Sequence, residues 1–254
     1  MTTAIITMAG FGRRFLDAGY AVPKYRIEAH GRSLFAWSML SLRSFIGAGT
    51  RFVFVVRAAD GAGDFIAREA AALGIADHAL IELDAPTDGQ ATTATLAAPA
   101  ISDRADPMFI YNIDTFVHPS ALSARAPRGE GWIPCFAADG DHWSFAAADD
   151  EGRVGEVREK VRISPHATIG LYWFGSFHLF ARAYDRHYAP GRPTDAGERY
   201  VAPLYNDLLA EGRAVFIQDV PADAVVPLGT PAEVERFLAS VPPSLGDADR
   251  ATAG

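Results

Sequence analysis

The sequence predicts an α/β protein with a Rossmann-like mixed, mainly parallel sheet flanked by helices. Short apolar runs rich in Ile, Val and Phe alternate with helix-like stretches through the first half, and a glycine-containing loop directly follows the first run. This alternation is typical of β-α-β units, whose parallel strands are buried on both faces. From about Gly131 the segments become shorter and are linked by turns, which indicates an antiparallel or mixed addition to the sheet.

Four apolar runs of the first half are the predicted parallel strands: residues 4–8, 52–56, 79–83 and 108–111. Apolar side chains at roughly helical spacing predict one amphipathic helix over residues 34–45 and another over residues 65–73. A third helix is expected from Gly89 to the residue before Pro99, and Pro119 suits the first turn of a short fourth one.

The second half is predicted to contain strands over residues 132–136 and 153–158, with a turn at residues 149–152 before the second of them. Helices begun by proline are expected over residues 203–210 and 231–240. Because no linker marks a boundary, we expect one domain over residues 1–241, with halves 1–130 and 131–241, and a flexible tail over residues 242–254.

Composition excludes several classes of protein. The chain has 254 residues, 49% of them hydrophobic and 21% charged, as in ordinary globular proteins. No apolar run approaches the ~18 residues that cross a bilayer, and the N-terminus lacks a signal-peptide pattern, so a cytoplasmic protein is expected. Cys135 is the only cysteine, which excludes an internal disulfide and a cysteine-built zinc site. A net charge of -8 argues against binding nucleic acid or a membrane surface.

The loop after the first strand contains Gly10 and Gly12, followed by Arg13 and Arg14. Glycines let backbone N–H groups approach a phosphate, and guanidinium groups add charge-assisted hydrogen bonds, so the loop suits an anion. The alternative is a tight strand-to-helix turn with solvated arginines. A dinucleotide fingerprint is excluded because its third glycine would fall at Phe15, and a P-loop is excluded because Gly-Lys-Ser/Thr is absent.

Several motifs in order resemble those of sugar-phosphate nucleotidyltransferases. The segment from Met8 to Phe15 with the later Pro23-Lys24 pair is similar to the family's opening G-x-G-[ST]-R and Pro-Lys signature, although Arg13 replaces the Ser or Thr. Further matches along the chain are Gly31-Arg32-Ser33-Leu34, Thr87-Asp88-Gly89-Gln90-Ala91, Asn112-Ile113-Asp114, Glu159-Lys160, the Gly170-Leu171-Tyr172-Trp173-Phe174 strand and Leu228-Gly229-Thr230-Pro231.

The resemblance implies the nucleotide-diphospho-sugar transferase fold, with a nucleotide-binding first half and an acceptor-binding second half. It implies a cytoplasmic, Mg²⁺-dependent enzyme, a monomer or homo-oligomer, that transfers NMP from a nucleoside triphosphate to a sugar 1-phosphate or similar phosphorylated acceptor, for nucleotide-sugar and polysaccharide biosynthesis. The implied catalytic residues are Arg14, Lys24 and Asp114, with Asp114 the metal ligand. The implied nucleotide-binding residues are Ala9, Gly10, Gly12, Arg13, Arg14, Asp88, Gly89, Gln90 and Asn112. The implied acceptor-binding residues are Glu159, Lys160, Gly170 and Tyr172.

Each of these residues also has a plain structural interpretation. Asp114 can cap a short helix, Lys24 and Lys160 can be solvated surface lysines, and Glu159 can belong to a charged edge strand. Tyr172, Trp173 and Phe174 alternate on one strand, so one or two of them are expected at the acceptor pocket and Phe174 in the core.

Two other functions fit parts of the pattern. A glycosyltransferase with a similar nucleotide-binding domain uses a D-x-D metal motif, which Asn112-Ile113-Asp114 mimics. A non-catalytic domain that senses a nucleotide is the third reading. The pair of Arg14 and Lys24 around an early Gly-x-Gly favours a triphosphate over a diphosphate sugar.

One position departs from the family. Many sugar nucleotidyltransferases carry a second metal-binding aspartate two residues before the closing Gly-Thr, but Pro227 stands there. Because Mg²⁺ needs only one or two carboxylates plus phosphate oxygens, Asp114 is expected to be its only direct carboxylate ligand, with Asp223 the nearest substitute. The loss also suggests an acceptor other than the common hexose 1-phosphates.

Overall fold

A mixed sheet of ten strands forms the centre of the computed structural model, which describes residues 1–191 and 197–245. The strands in the described residues are β1 (Thr3–Thr7), β2 (Glu28–Ala29), β3 (Arg32–Ser33), β4 (Arg51–Arg57), β5 (His78–Leu83), β6 (Met108–Asn112), β7 (Thr115–Val117), β8 (Gly131–Ala137), β9 (Ser144–Ala148), β10 (Val154–Glu159), β11 (His166–Thr168), β12 (Leu171–Phe174), β13 (Val215–Asp219) and β14 (Val225–Pro227).

The α-helices in the described residues are α1 (Arg13–Asp17), α2 (Leu34–Leu40), α3 (Arg43–Gly47), α4 (Gly63–Ala72), α5 (Gln90–Thr95), α6 (Phe177–His187), α7 (Tyr205–Ala210) and α8 (Pro231–Ala239). Short 3₁₀ turns include Lys24–Arg26, Ala98–Ala100, Pro119–Ala121 and Ala202–Leu204.

The strand order is β10-β9-β11-β8-β12-β6-β1-β4-β5, with β13 paired to β8. Strands β6, β1, β4 and β5 are mutually parallel, as predicted for the first half. Strand β12 joins the two halves, because it pairs antiparallel with both β6 and β8. The mixed sheet with a parallel first half confirms the predicted fold class.

The helix predicted over residues 34–45 is two helices. It breaks at Ser41 and Leu42, between α2 and α3. The buried hydroxyl of Ser41 accepts a hydrogen bond at 2.8 Å from the backbone N–H of Val117 in β7. This contact ties the end of α2 to β7, and α3 starts afresh with Phe45 N–H donating to the carbonyl of Leu42. Periodicity alone does not reveal such a break, because the apolar face continues across it.

Prolines mark the predicted boundaries with small shifts. Pro231 is the first residue of α8, whose N-cap Thr230 accepts from the N–H of Glu233. The helix expected after Gly89 ends at Thr95, and Pro99 lies in the separate 3₁₀ turn that follows. The segment at Pro203 begins as a 3₁₀ turn before α7, and Pro119 begins a 3₁₀ turn rather than an α-helix.

Three buried clusters form the core. Alternate residues of the central strands feed one cluster on each face of the sheet, and fully buried Ile5 and Ile6 of β1 point to opposite faces. The third cluster packs α2 against α8 around Trp37 and Phe237 and also buries Leu245. Of the tail expected over residues 242–254, the described part therefore packs on the core through Leu245, and residues 246–254 lie outside the described residues. In the described chain, every helix is too short or too polar to span a membrane.

Candidate active site

The predicted nucleotide residues gather at the edge where β1, β4 and β6 end. The register places Thr7 of β1 beside Val55 of β4 and beside Asn112 of β6. The glycine loop follows β1, Arg57 is the last residue of β4, and Asp114 lies two residues after β6. In open α/β sheets, ligands bind outside the carboxyl ends of parallel strands. The fold therefore brings the glycine loop, Arg57 and Asp114 to one edge of the sheet.

The glycine loop turns directly into α1. Gly12 has φ +61° and acts as the N-cap, and the N–H groups of Phe15 and Leu16 donate to its carbonyl. A side chain is strained in this backbone conformation, which explains the glycine. Ala9 is buried, whereas Arg13 and Arg14 are exposed at the start of the helix.

A cavity of about 260 Å³ lies between the glycine loop, the segment before Lys24 and the end of β4. Gly10, Gly12, Lys24 and Arg57 line it together with Asp60, whose carboxylate pairs with the Arg57 guanidinium. The Arg57 guanidinium lies 5.2 Å from the ring centre of Phe11. The cavity therefore offers the backbone of a glycine loop and an excess of one positive charge, which suits an anion.

Lys24 Nζ lies 2.9 Å from Asp114 Oδ2, so the two predicted catalytic residues touch. The turn that carries Lys24 is held in place by its neighbour Arg26, which donates to the carbonyls of Asp60 at 3.0 Å and of Gly61 at 2.7 Å. The Tyr25 hydroxyl donates to the Asp60 carboxylate at 3.3 Å. Burial and the charge of Asp60 raise the pKa of Tyr25 to about 12, so Tyr25 stays a donor.

Gln90 and Asn112 form a side-chain pair at the ends of β1 and β6. The Gln90 amide donates to Asn112 Oδ1 and, at 3.1 Å, to Thr7 Oγ1. Gly170 supports the pair: it has φ +83°, and a Cβ there would lie 2.7 Å from Asn112 Nδ2. Gly170 is therefore required by the close approach of Asn112, which also donates its backbone N–H to the carbonyl of Gly170.

The loop with Asp88 and Gly89 is fastened to Arg199, a residue that the sequence did not single out. Arg199 Nε lies 2.9 Å from Asp88 Oδ2, and the Arg199 N–H donates to the Asp88 carbonyl at 2.9 Å. The Asp88 carboxylate is thus engaged with a guanidinium while half of its surface stays exposed.

Among the predicted acceptor residues, Glu159 and Tyr172 are buried. The Ser144 hydroxyl donates to the Glu159 carboxylate, and the Tyr172 hydroxyl lies 2.9 Å from Thr168 Oγ1. Tyr172 is 4% exposed and Phe174 is fully buried in the same cluster, so the prediction of Phe174 in the core is confirmed. The Tyr172 side chain is thus covered by other residues. Its burial raises the pKa of the hydroxyl, so the hydroxyl stays neutral.

Lys160, by contrast, is exposed. It has φ +53°, its backbone N–H donates to the Trp143 carbonyl, and its Nζ lies 2.5 Å from the hydroxyl of Tyr200. Lys24 and Lys160 are the only two lysines of the chain, and the other 21 of its 23 basic residues are arginines. Lys24 lines the glycine-loop cavity, and Lys160 contacts Tyr200, the chain neighbour of the Arg199 that pairs with Asp88.

Four side chains of the site escaped the sequence analysis: Arg57, Arg199, Tyr200 and Glu233. Arg57 has a readable signal, because it ends an apolar strand next to the glycine loop. Glu233 lies near Asp114: a Cβ built on Gly229 would be 3.4 Å from Asp114 Oδ2 and 3.6 Å from Glu233 Oε2. The structure therefore puts Glu233 beside Asp114, whereas the expected substitute Asp223 precedes β14, at the far end of that strand.

A larger groove of about 600 Å³ lies elsewhere on the sheet and contains none of the predicted site residues. Its lining includes four carboxylates, from Asp149, Asp150, Glu151 and Asp219, which repel phosphates. Over residues 1–191 and 197–245, no cluster of three or more His, Cys, Asp or Glu side chains forms a ready-made metal site.

Comparisons with solved structures agree with this fold. No protein-family model and no curated protein sequence matches the chain. Among solved structures, a nucleoside-diphosphate-sugar pyrophosphorylase from Vibrio cholerae RC9 is 34% identical, with a TM-score of 0.86 over 93% of this chain and 100% of that one.

Two more distant structures share the fold. The inositol-1-phosphate CTP transferase of T. maritima is 18% identical, with a TM-score of 0.73 over 94% of this chain and 95% of that one. A putative glucose-1-phosphate thymidylyltransferase of Bacillus anthracis, in complex with sucrose, is 15% identical, with a TM-score of 0.76 over 98% of this chain and 99% of that one.

Proposed function

The chain belongs to the sugar-phosphate nucleotidyltransferases, the family of the Vibrio cholerae pyrophosphorylase, and we propose that its own site joins the nucleoside monophosphate of a triphosphate to a sugar 1-phosphate or similar acceptor. The observation that carries the proposal is the 2.9 Å contact of Lys24 with Asp114 beside the glycine-loop cavity. It puts a cation, a hard oxygen ligand and backbone donors at one strand edge.

In the proposed reaction, an oxygen of the acceptor phosphate attacks the α-phosphorus of the triphosphate. A new P–O bond forms, the bond to the bridging oxygen of the β-phosphate breaks, and that oxygen leaves with the electron pair as pyrophosphate. No proton has to move, because both phosphates react as anions. The protein therefore has to hold two polyanions together and to neutralise charge on the phosphoryl oxygens.

The residues of the cavity suit this task. Backbone N–H groups of the loop at Gly10 and Gly12 and the guanidinium of Arg14 bind the triphosphate, with Arg13 at its outer side. Lys24 supplies a point charge at the α-phosphate. Arg57 lines the same cavity and neutralises the departing pyrophosphate. Ala9 is buried, so it contributes through its backbone.

A divalent cation fits the oxygen donors present. Asp114 would hold it, with Glu233 as the neighbouring carboxylate near Gly229, and phosphate oxygens of the substrates would supply further ligands. Mg²⁺ is the proposed ion, because it keeps several waters and binds through few carboxylates plus substrate phosphates. When bound, it withdraws charge from the phosphoryl oxygens.

Nucleobase and acceptor take opposite sides of this centre in the proposal. Polar groups of Gly10, Asp88, Gly89 and Gln90, with Asn112 fixing Gln90, select the base. Lys160 binds the acceptor phosphate, and the backbone at Gly170 borders the acceptor. Buried Glu159 is oriented by Ser144, and the hydroxyl of Tyr172 lies 3.4 Å from the same serine, so Tyr172 supports the acceptor side from behind.

The glycosyltransferase reading is disfavoured by the state of Asn112. Asn112-Ile113-Asp114 has one carboxylate where D-x-D has two. The side-chain oxygen of Asn112 also accepts a hydrogen bond from Gln90, and Ile113 is buried. We propose that the enzyme works in the cytoplasm, where nucleoside triphosphates occur. Its partners are then small anionic substrates rather than nucleic acid or a membrane. Its nucleotide-sugar product would be used in polysaccharide assembly.

The test is a pyrophosphate-release assay with ATP, CTP, GTP, UTP and dTTP, each with glucose 1-phosphate, inositol 1-phosphate and other phosphorylated acceptors. We expect Mg²⁺-dependent release with one preferred pair and a nucleotidylated acceptor in the mass spectrum. Asp114→Asn is the inactive control. If no pair releases pyrophosphate but a nucleotide sugar is consumed, the glycosyltransferase reading replaces this one.

A further inference from the structure

Two adjacent residues, Arg199 and Tyr200, contact the two halves of the candidate site. The Arg199 backbone carbonyl accepts from the N–H of Ala91 at 2.9 Å, and its N–H donates to the carbonyl of Asp88 at 2.9 Å. Its guanidinium pairs with the Asp88 carboxylate and donates to the Tyr184 hydroxyl at 2.5 Å. Arg199 is thus bound to the loop before α5 through both its backbone and its side chain.

Gly89 shows that this contact is close. Its φ is +154°, and a Cβ at this position would lie 2.4 Å from the nitrogen and 2.5 Å from the carbonyl oxygen of Arg199. Backbone atoms cannot move aside as the end of a flexible side chain can. The loop is therefore packed directly against the backbone of Arg199, to which it and Ala91 are joined by two backbone hydrogen bonds.

Tyr200 makes the matching contact on the acceptor side. Lys160 Nζ donates to its hydroxyl at 2.5 Å and also lies 4.6 Å from the centre of its ring. The Tyr200 carbonyl accepts a hydrogen bond from the Tyr188 hydroxyl at 2.7 Å, which holds the backbone of Tyr200 in place. The bond to Tyr200 raises the pKa of the Lys160 ammonium above its ordinary value, so the lysine keeps its charge.

The geometry points to a bridge: we propose that Arg199 and Tyr200 couple the nucleobase loop to the acceptor lysine, and that Tyr200 is the positioning residue of Lys160. Consecutive Cα atoms are only ~3.8 Å apart, so a shift of the loop at Asp88 is passed to Tyr200 through one peptide bond. Nucleotide bound against the loop then holds Lys160 in position for the acceptor phosphate. By linkage, bound acceptor raises the affinity for the nucleotide by the same factor. The substrate roles rest on the proposed function, whereas the mechanical link does not.

The first experiment uses no substrate and exploits the fact that Lys160 and Lys24 are the only lysines. Acetic anhydride labels the folded protein, and mass spectrometry of peptides gives the rate at each lysine, with Lys24 as internal reference. We expect Tyr200→Leu and Arg199→Gln each to raise the Lys160 rate by about threefold or more, because both loosen its partner. The control is Arg182→Gln, which removes an exposed guanidinium paired with Glu211 at 2.9 Å. Asp88→Asn, which weakens the same ion pair from the loop side and adds no lysine, serves as the second variant where Arg199→Gln unfolds.

The second experiment measures the KM of both substrates for the pair that the pyrophosphate assay selects. Arg199→Gln should raise the acceptor KM by about fivefold together with the nucleotide KM, although Arg199 does not contact Lys160. Tyr200→Phe, which keeps the ring, should show a smaller rise than Tyr200→Leu.

An Arg199 variant that changes only the nucleotide KM and leaves Lys160 labelling at the wild-type rate would overturn the bridge. A wild-type enzyme that releases no pyrophosphate contradicts the proposed function instead, and the labelling result still decides whether the bridge exists.

Discussion

Lys24 and Asp114 are separated by 90 positions in the sequence, yet their charged groups lie 2.9 Å apart. The two side chains are 23% and 29% exposed, and an ion pair so open to solvent contributes only ~0–1 kcal/mol to folding. The contact is therefore better explained by a shared task at the phosphate site than by stability. Substitutions at either residue can accordingly separate activity from folding.

Asp114→Asn should lower turnover by about 100-fold or more while the protein stays folded, because it removes a negative oxygen ligand and keeps the shape of the side chain. Initial rates of pyrophosphate release and the thermal midpoint from circular dichroism check this. Asp223→Asn is the matched control, since Asp223 is exposed and lies before β14. Turnover of Asp114→Asn within threefold of wild type would remove Asp114 from the mechanism.

Lys24→Ala should weaken the use of the nucleotide and leave the acceptor KM near its wild-type value. A charge-assisted contact to phosphate is worth ~1.5–3 kcal/mol, so kcat or the nucleotide KM should change by roughly 10-fold to 150-fold. Steady-state kinetics with each substrate varied in turn measure the change. A rise confined to the acceptor KM would contradict the assignment of Lys24 to the nucleotide.

Lys160→Ala should give the reverse result, a rise of similar size in the acceptor KM, since the ammonium held beside Tyr200 is the proposed partner of the acceptor phosphate. Lysine labelling gives a check without turnover. Acceptor should protect Lys160 and triphosphate should protect Lys24, because each binds its own lysine. Protection of Lys160 by triphosphate but not by acceptor would reverse the assignment.

The sequence predicted the parallel half of the fold well because its strands are continuous apolar runs that local composition reveals. The positions of the glycine loop and Asp114 followed from the rule that parallel strands end at one edge, whereas Lys24, in a 3₁₀ turn after α1, was assigned only through the family resemblance. The contacts of Arg199 and Tyr200 did not follow, since they join segments about 40 to 110 residues apart with no periodic pattern. The break at Ser41 escaped for a similar reason: it depends on a hydrogen bond to β7.

Gly170→Ala tests the packing of Asn112. Gly170 has φ +83°, and the added Cβ would lie 2.7 Å from Asn112 Nδ2. The variant should lose ~1–3 kcal/mol of the free energy of unfolding and raise the nucleotide KM, since Asn112 holds Gln90. Gly212→Ala is the matched control, because Gly212 has φ +74° with nothing within 4 Å of its Cβ.

Both variants pay the cost of a positive φ in the free energy of unfolding, but only Gly170→Ala adds a clash with Asn112. The difference between their unfolding free energies therefore measures that clash alone. Denaturant unfolding of both proteins provides the free energies. Equal destabilisation, with an unchanged nucleotide KM in Gly170→Ala, would show that Asn112 moves aside freely and does not order the nucleotide side of the site.

The carboxylates of Asp114 and Glu233 both approach the Cβ position of Gly229, and we expect them to contribute unequally to metal binding. Asp114 lies two residues after the end of β6, whereas Glu233 lies in the first turn of α8. We expect Asp114 to be the only carboxylate that binds the metal directly. Glu233 is expected to bind it through a water molecule. The half-saturating concentration of Mn²⁺, read from its electron paramagnetic resonance signal with triphosphate present, should rise by about 10-fold or more in Asp114→Asn and by about threefold in Glu233→Gln. Asp223→Asn should match wild type. Equal losses for Asp114→Asn and Glu233→Gln would mean that two carboxylates bind the metal directly and that Glu233 replaces the aspartate missing at Pro227.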